Sequence, residues 1–150
     1  MDRKPIDQGK VLIIKSGAIS AEDLHKKDAR NVTVKYLIDE TQGANRFSLR
    51  LYTVGKGGQT PLDRHEYEHQ VYILSGEGIL RTNNDTGTIK QAVRTGDAIF
   101  IPTNAVHQFI NEADQPLTFL CVKGNPQLYS HADDGKTLNP KAALEETHRC

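Results

Sequence analysis

Hydrophobic residues in this chain fall in short runs, separated at intervals of about eight to twelve residues by glycine, proline or Asx-rich turns. VLIIK (11–15) is the first run and reads as an opening strand, too short for a helix. Ser20 with Asp23 three residues on resembles a capping box and predicts one or two helical turns over 21–27. NVTVKYLID, from Asn31, is β-branched and alternating, hence a strand. In RFSLRLYTV (46–54), Phe47, Leu49 and Leu51 alternate with Ser48, Arg50 and Tyr52, which predicts a strand with the first three inward and the others on a wetter face. GKGG (55–58) breaks that pattern. QVYILSG, from Gln70, is apolar on both faces, so both should be covered. NNDTG (83–87) is a hairpin signal between ILRTN and TIKQAV. Thr95, Gly96 and Asp97 turn the chain into AIFIP, which Pro102 ends. VHQFI and LTFLCV (117–122) are the last strands, and Asn139-Pro140 precedes a short helical KAALEETHR. Roughly nine or ten short strands with little helix predict an antiparallel sandwich or closed barrel.

Length and composition narrow this further. One hundred and fifty residues make a single domain. Its parts are an N-terminal strand and short helix packing on the barrel (1–30), the barrel itself (31–124), and a tail with a short helix (125–150). Lysine plus arginine equals aspartate plus glutamate at 19 each, with no basic run, so nucleic acid is not an expected partner. Apolar stretches are too short for a membrane span, and no charged start leads into an apolar signal region. Cys121 and Cys150 make no disulfide framework, and Cys121 reads as a small core residue. The cytoplasm is the expected compartment.

The chemistry concentrates in GGQTPLDRHEYEHQVYILSGEG (57–78). Asp63, His65 and His69 share odd parity, so on an extended chain all three point to one face. His107 follows 38 residues after His69, just past a second apolar run. Imidazole and carboxylate together suit first-row divalent ions: manganese, iron, cobalt, nickel or zinc. Four protein ligands leave open positions on a metal that prefers five or six, the condition for chemistry rather than structure. A lone histidine in a strand is more often a hydrogen-bonded core residue than a ligand; the shared face of three donors is what favours a metal. Glu68 and Gln70 have the opposite parity, His25, His131 and His148 lie in polar segments, and Asp97 reads as a turn former.

These two stretches resemble the two motifs of the cupin superfamily. The first motif is Gly, five residues, His-x-His, three or four residues, Glu, six residues, Gly. Gly57, Asp63, His65, His69 and Gly76 fill its places, with aspartate for the first histidine and histidine for the glutamate. The second motif is Gly, five residues, Pro-x-Gly, two residues, His, three residues, Asn. Gly96, Pro102, Asn104, His107 and Asn111 fill it, with Asn104 in a glycine place where asparagine tolerates the same left-handed turn. The resemblance covers about residues 31–123. It implies an all-β fold, the double-stranded β-helix or jelly-roll barrel, with short helical segments near the termini.

It also implies one divalent transition metal (manganese, iron or nickel, with zinc a further option) held by His65, His69, His107 and Asp63. Aspartate reaches less far than histidine, so Asp63 binds the ion directly or holds a metal-bound water. Phe47, Leu49, Leu51, Phe109 and Phe119 would form an apolar pocket wall for a small-molecule substrate. The activity implied is a non-haem metal enzyme, dioxygenase-like in the quercetinase manner. A metal-dependent lyase or isomerase is the alternative, and the other class is a binding module without turnover. If His69 points inward, Val71 and Ile73 do too, leaving Tyr72 and Leu74 outside. That apolar pair asks for a cover, either VLIIK or a second subunit, and a homodimer is expected.

Overall fold

The computed structural model describes residues 9–126. Nine strands follow one another there: β1 (Glu22–Asp23), β2 (Arg30–Ile38), β3 (Phe47–Gln59), β4 (His69–Ser75), β5 (Glu77–Asn84), β6 (Gly87–Arg94), β7 (Ala98–Ile101), β8 (His107–Ile110) and β9 (Leu117–Gly124). All their pairings are antiparallel. The sheet runs in the order β6-β5-β8-β3-β9-β4-β7, with β2 and then β1 added beside β3. A strand that touches three others forces the sheet to curl. The first half of β3 lies between β2 and β9, while Gln59 at its far end pairs with Ile110 of β8 and with Arg30.

GKGG therefore bends β3 rather than ending it. A Cβ on Gly58 would stand 2.6 Å from the Arg30 carbonyl oxygen and 2.8 Å from that of Gly55, so only glycine lets these backbones come so near. Tight turns close the remaining corners. Gly76 holds φ +89° with its backbone against Pro116, and the Asp97 carboxylate accepts a hydrogen bond from the Arg94 amide at 2.8 Å. The result is an all-β jelly-roll barrel of the double-stranded β-helix type.

Register stacks the inward side chains of β3, β9 and β4 in layers. Tyr52, Phe119 and Ile73 form one; Arg50, Cys121 and Val71 the next; Ser48, Lys123 and His69 the third. The first layer continues the apolar core, where the Phe119 ring stacks on Tyr52 at 5.2 Å and meets the Phe109 ring at 4.6 Å with a 32° tilt. Burying each such side chain contributes roughly 1.5–3 kcal/mol. Polarity rises from this layer toward the third, and that gradient places the chemistry.

Three sequence expectations are corrected. Residues 11–15 join no strand pair among the described residues; Val11 is 94% and Ile13 78% exposed. An apolar run becomes a strand only where a neighbour takes its backbone hydrogen bonds. No helix forms over 21–27: Glu22 and Asp23 pair with Val34 and Thr33 instead, and the Leu24 amide donates to the Val32 carbonyl. Leu24 is the one large apolar side chain of that stretch, and an extended path along β2 packs it against the core. The helical content of the described residues is two 3-10 turns, Ser16–Ala18 and Glu40–Gln42.

The third correction is the facing of β3. Ser48, Arg50, Tyr52 and Val54 are buried, whereas Phe47 is 62% exposed and Leu49 lines a groove on the outer surface. The polar-looking face turns inward because the barrel interior at this level is itself polar. The expected C-terminal helix and His131 lie outside the described residues.

Candidate metal centre

His65, His69 and His107 are all buried, and their donor nitrogens lie within 4.8 Å of one another. His69 opens β4, where it pairs with Lys123 and Ile101. His107 opens β8, and its backbone exchanges hydrogen bonds of 2.9 and 3.1 Å with Asp63. His65 sits in the link between β3 and β4, where its carbonyl accepts from the Asn104 amide at 2.6 Å. Asn104 holds φ +62°, the left-handed conformation that its place in the second motif predicts. One stretch is thus stitched to the other at both Asp63 and His65. Asn111 closes the second stretch as a structural residue, its amide donating to the Val54 and Gln115 carbonyls and its oxygen accepting from the Ala113 amide.

Ring orientation is fixed from behind. Nδ1 of His107 lies 2.9 Å from the Ala105 carbonyl oxygen. A carbonyl only accepts, so Nδ1 donates and Nε2 carries the lone pair that a metal needs. Nδ1 of His69 lies 3.2 Å from the Cys121 sulfur. His65 is held by stacking: the Tyr67 ring lies 4.6 Å away at an interplanar angle of 7°. Tyr67 is fully buried, and the Lys123 ammonium stands 5.1 Å from its ring centroid.

Asp63 occupies the flank. Its Oδ2 is 3.8 Å from Nε2 of His65, and the set of mutually close donors is the three imidazoles without it. Its backbone clamps His107 while its carboxylate stands beside the centre. Three neutral imidazoles fit a first-row divalent ion and leave further coordination positions open. The donor set therefore suits a metal.

Phe109 and Phe119 line a small cavity beneath the histidines together with Tyr52, Thr60, His107 and Cys121. Its free space of about 10 Å³ holds about one water. Phe47, Leu49 and Leu51 take no part in it, for the parity reason given above.

Sequence reasoning placed Tyr67 near the site without a direction, and passed over Arg50, Lys123 and the contact made by Cys121. Tyr67 had a usable signal, since it shares the odd parity of Asp63, His65 and His69. The other three needed the pairing register of β3, β9 and β4. His25, read as solvated, is exposed.

Residues 50–123 match the family model of the cupin domain. The polyketide cyclase RemF of Streptomyces resistomycificus is similar in structure, with a TM-score of 0.70 and 34% identity over 77% of this chain and 80% of that one. A cupin-2 domain protein of Rhodospirillum rubrum superposes with a TM-score of 0.61 and 28% identity over 88% and 91% of the two chains. In sequence, the chain is 39% identical over 89 residues to 1-methylthio-D-xylulose 5-phosphate methylsulfurylase of Rhodospirillum rubrum; the match covers 57% of this chain and 54% of the relative, about half its length. Motif spacing, a curled jelly roll with three histidines at one level, and these likenesses agree: the chain belongs to the cupin superfamily.

Proposed function

We propose that this cupin is a metal-dependent enzyme acting on a small organic substrate, with His65, His69 and His107 as the ligands of one divalent transition ion. The observation that carries the reading is the convergence of three buried imidazoles within 4.8 Å. An ion held there supplies the positive charge that polarises a substrate oxygen or activates a small molecule. The residues around it divide the remaining work. Asp63 stands where a carboxylate can accept a proton from a ligand, Tyr67 and Cys121 orient the histidines, and Phe109 and Phe119 give the small cavity beneath them an apolar wall. The tight cavity beneath the centre favours substrate approach from the barrel mouth.

Two finer readings share this frame. A dioxygenase-like reaction uses the open positions for dioxygen and substrate together. Lyase- or isomerase-type chemistry uses the ion as a Lewis acid, and it is supported by the 34%-identical neighbour being a polyketide cyclase. Metal analysis of tag-free protein, beside the His107→Ala variant, tests the frame. Near one equivalent of manganese, iron, nickel or zinc in the wild type, lost in the variant, is the expected result. Protein that stays empty when each ion is offered refutes it. Oxygen uptake with candidate substrates then separates the readings, and a loaded protein that turns over nothing is a binding module.

The same chain is proposed to pair with itself. Tyr72 (48%), Leu74 (41%) and Phe100 (57%) are exposed on the outer face of β4 and β7, continuous with Leu49, Leu120 and Val122. Val11, Leu12 and Ile13, themselves apolar and exposed, do not line that face, which stays uncovered among the described residues. A second copy brings both features together, which supports the homodimer.

A further inference from the structure

Cys121 is more than core filling. Its sulfur lies 3.2 Å from Nδ1 of His69 and 3.2 Å from Nη2 of Arg50, whose Nη1 donates to the Tyr52 hydroxyl at 2.9 Å. Cys121, His69, Arg50 and Tyr52 are each 1% exposed, so bulk solvent does not compete for these contacts. Register explains the placement: Cys121 faces Arg50 on β3 and Val71 on β4, one layer beneath His69.

We infer that Cys121 is a positioning residue of the metal centre, its sulfur accepting the Nδ1 proton of His69 so that the Nε2 lone pair points toward the other two imidazoles. The inference rests on the reading of the three histidines as a metal site. Guanidinium has donors only, so the sulfur accepts from Arg50. That contact anchors the sulfur where it can accept from His69 as well. A ligating imidazole needs its far nitrogen to donate to an outer partner, which sets both tautomer and ring angle. His107 finds that partner in a backbone carbonyl, and His69 finds it in a thiol. The Arg50–Tyr52 bond in turn holds the guanidinium, so the string from Tyr52 to His69 acts as one support.

The test uses the tautomer as its readout. Full-length apo protein with ¹⁵N-labelled histidine is examined by long-range ¹H–¹⁵N correlation at a pH where imidazoles are neutral. The wild type should show His69 protonated on Nδ1. Cys121→Val fills the space without the acceptor and should shift His69 toward the Nε2-protonated form. Its affinity for zinc or nickel, measured by competition with a chromophoric chelator, should fall about tenfold to a hundredfold. Cys121→Ser keeps an acceptor and should retain the wild-type tautomer with a smaller loss. Val71→Ala, in the same layer, should lower stability and leave the tautomer alone. If Cys121→Val does not fold, Cys121→Ala carries the same expectation. The inference is overturned by an Nε2-protonated His69 in the wild type, or by an acceptor-less variant with unchanged tautomer and affinity. A wild type that binds no metal defeats the proposed function instead, and the tautomer still decides the role of Cys121.

Discussion

Asn111 offers a way to separate what holds the barrel together from what holds the ion. It is fully buried and makes three hydrogen bonds: Nδ2 to the Val54 carbonyl at 2.9 Å, Nδ2 to the Gln115 carbonyl at 2.8 Å, and Oδ1 from the Ala113 amide at 2.9 Å. Asn111→Ala removes all three, stranding the buried Val54 carbonyl and taking their partner from the part-buried bonds to Ala113 and Gln115. At roughly 1 kcal/mol net for each bond, the expected loss is about 3 kcal/mol. Against a total stability on the order of 5–15 kcal/mol this is a large fraction. For a domain of this size it lowers Tm by roughly 6–12 °C. Asn111→Asp should cost at least as much, because it turns a carboxylate toward two carbonyl oxygens. Urea and thermal denaturation of the apo proteins measure the loss, and metal stoichiometry of the folded fraction should match the wild type. A loss under about 1 kcal/mol, or metal loss at full stability, would refute the assignment of Asn111 as a purely structural residue.

Two further expectations concern the centre and the outer face. Asn104→Gly preserves the left-handed backbone and should leave stability near wild type. Asn104→Val should cost about 1–2 kcal/mol and weaken metal binding, because the Asn104 amide holds the His65 carbonyl; equal stability of the two variants in urea would count against strain at this position. Tyr72→Lys combined with Phe100→Lys should convert a dimer to a monomer in sedimentation equilibrium while the histidine centre still takes up metal. A wild type that sediments as a monomer sinks the dimer.

The sequence revealed most about features fixed by local spacing. His65 and His69 do meet, with His65 reaching the centre from the link before β4. Gly76 and Asn104 adopt the left-handed backbone their types favour, Asp97 caps its turn, and Val71 and Ile73 follow His69 inward. The facing of β3 was misread because apolar alternation marks the core only where the core is apolar. Here Arg50 and Ser48 look into a polar interior, while Leu49 and Leu51 lie on the outer side. Residues 11–15 have the composition of a strand, yet composition cannot supply the neighbour that a strand requires. The contact of Cys121 with His69 depends on how β4 meets β9, two strands far apart in the chain, and no local pattern carries that register.

The stitching of the two motif stretches also has a kinetic meaning. His65 and His107 are 42 residues apart in the chain and meet only once β8 has been laid against Asp63 and Thr60. Contacts across such a separation wait on closure of the intervening loop, and we expect them late on the path to the native barrel. An ion bound by all three histidines then favours the native state over the folding transition state, so it slows unfolding and leaves the folding rate nearly unchanged. In a chevron plot the unfolding arm should drop on metal addition while the folding arm stays in place. Metal supply would thereby set the lifetime of each folded molecule.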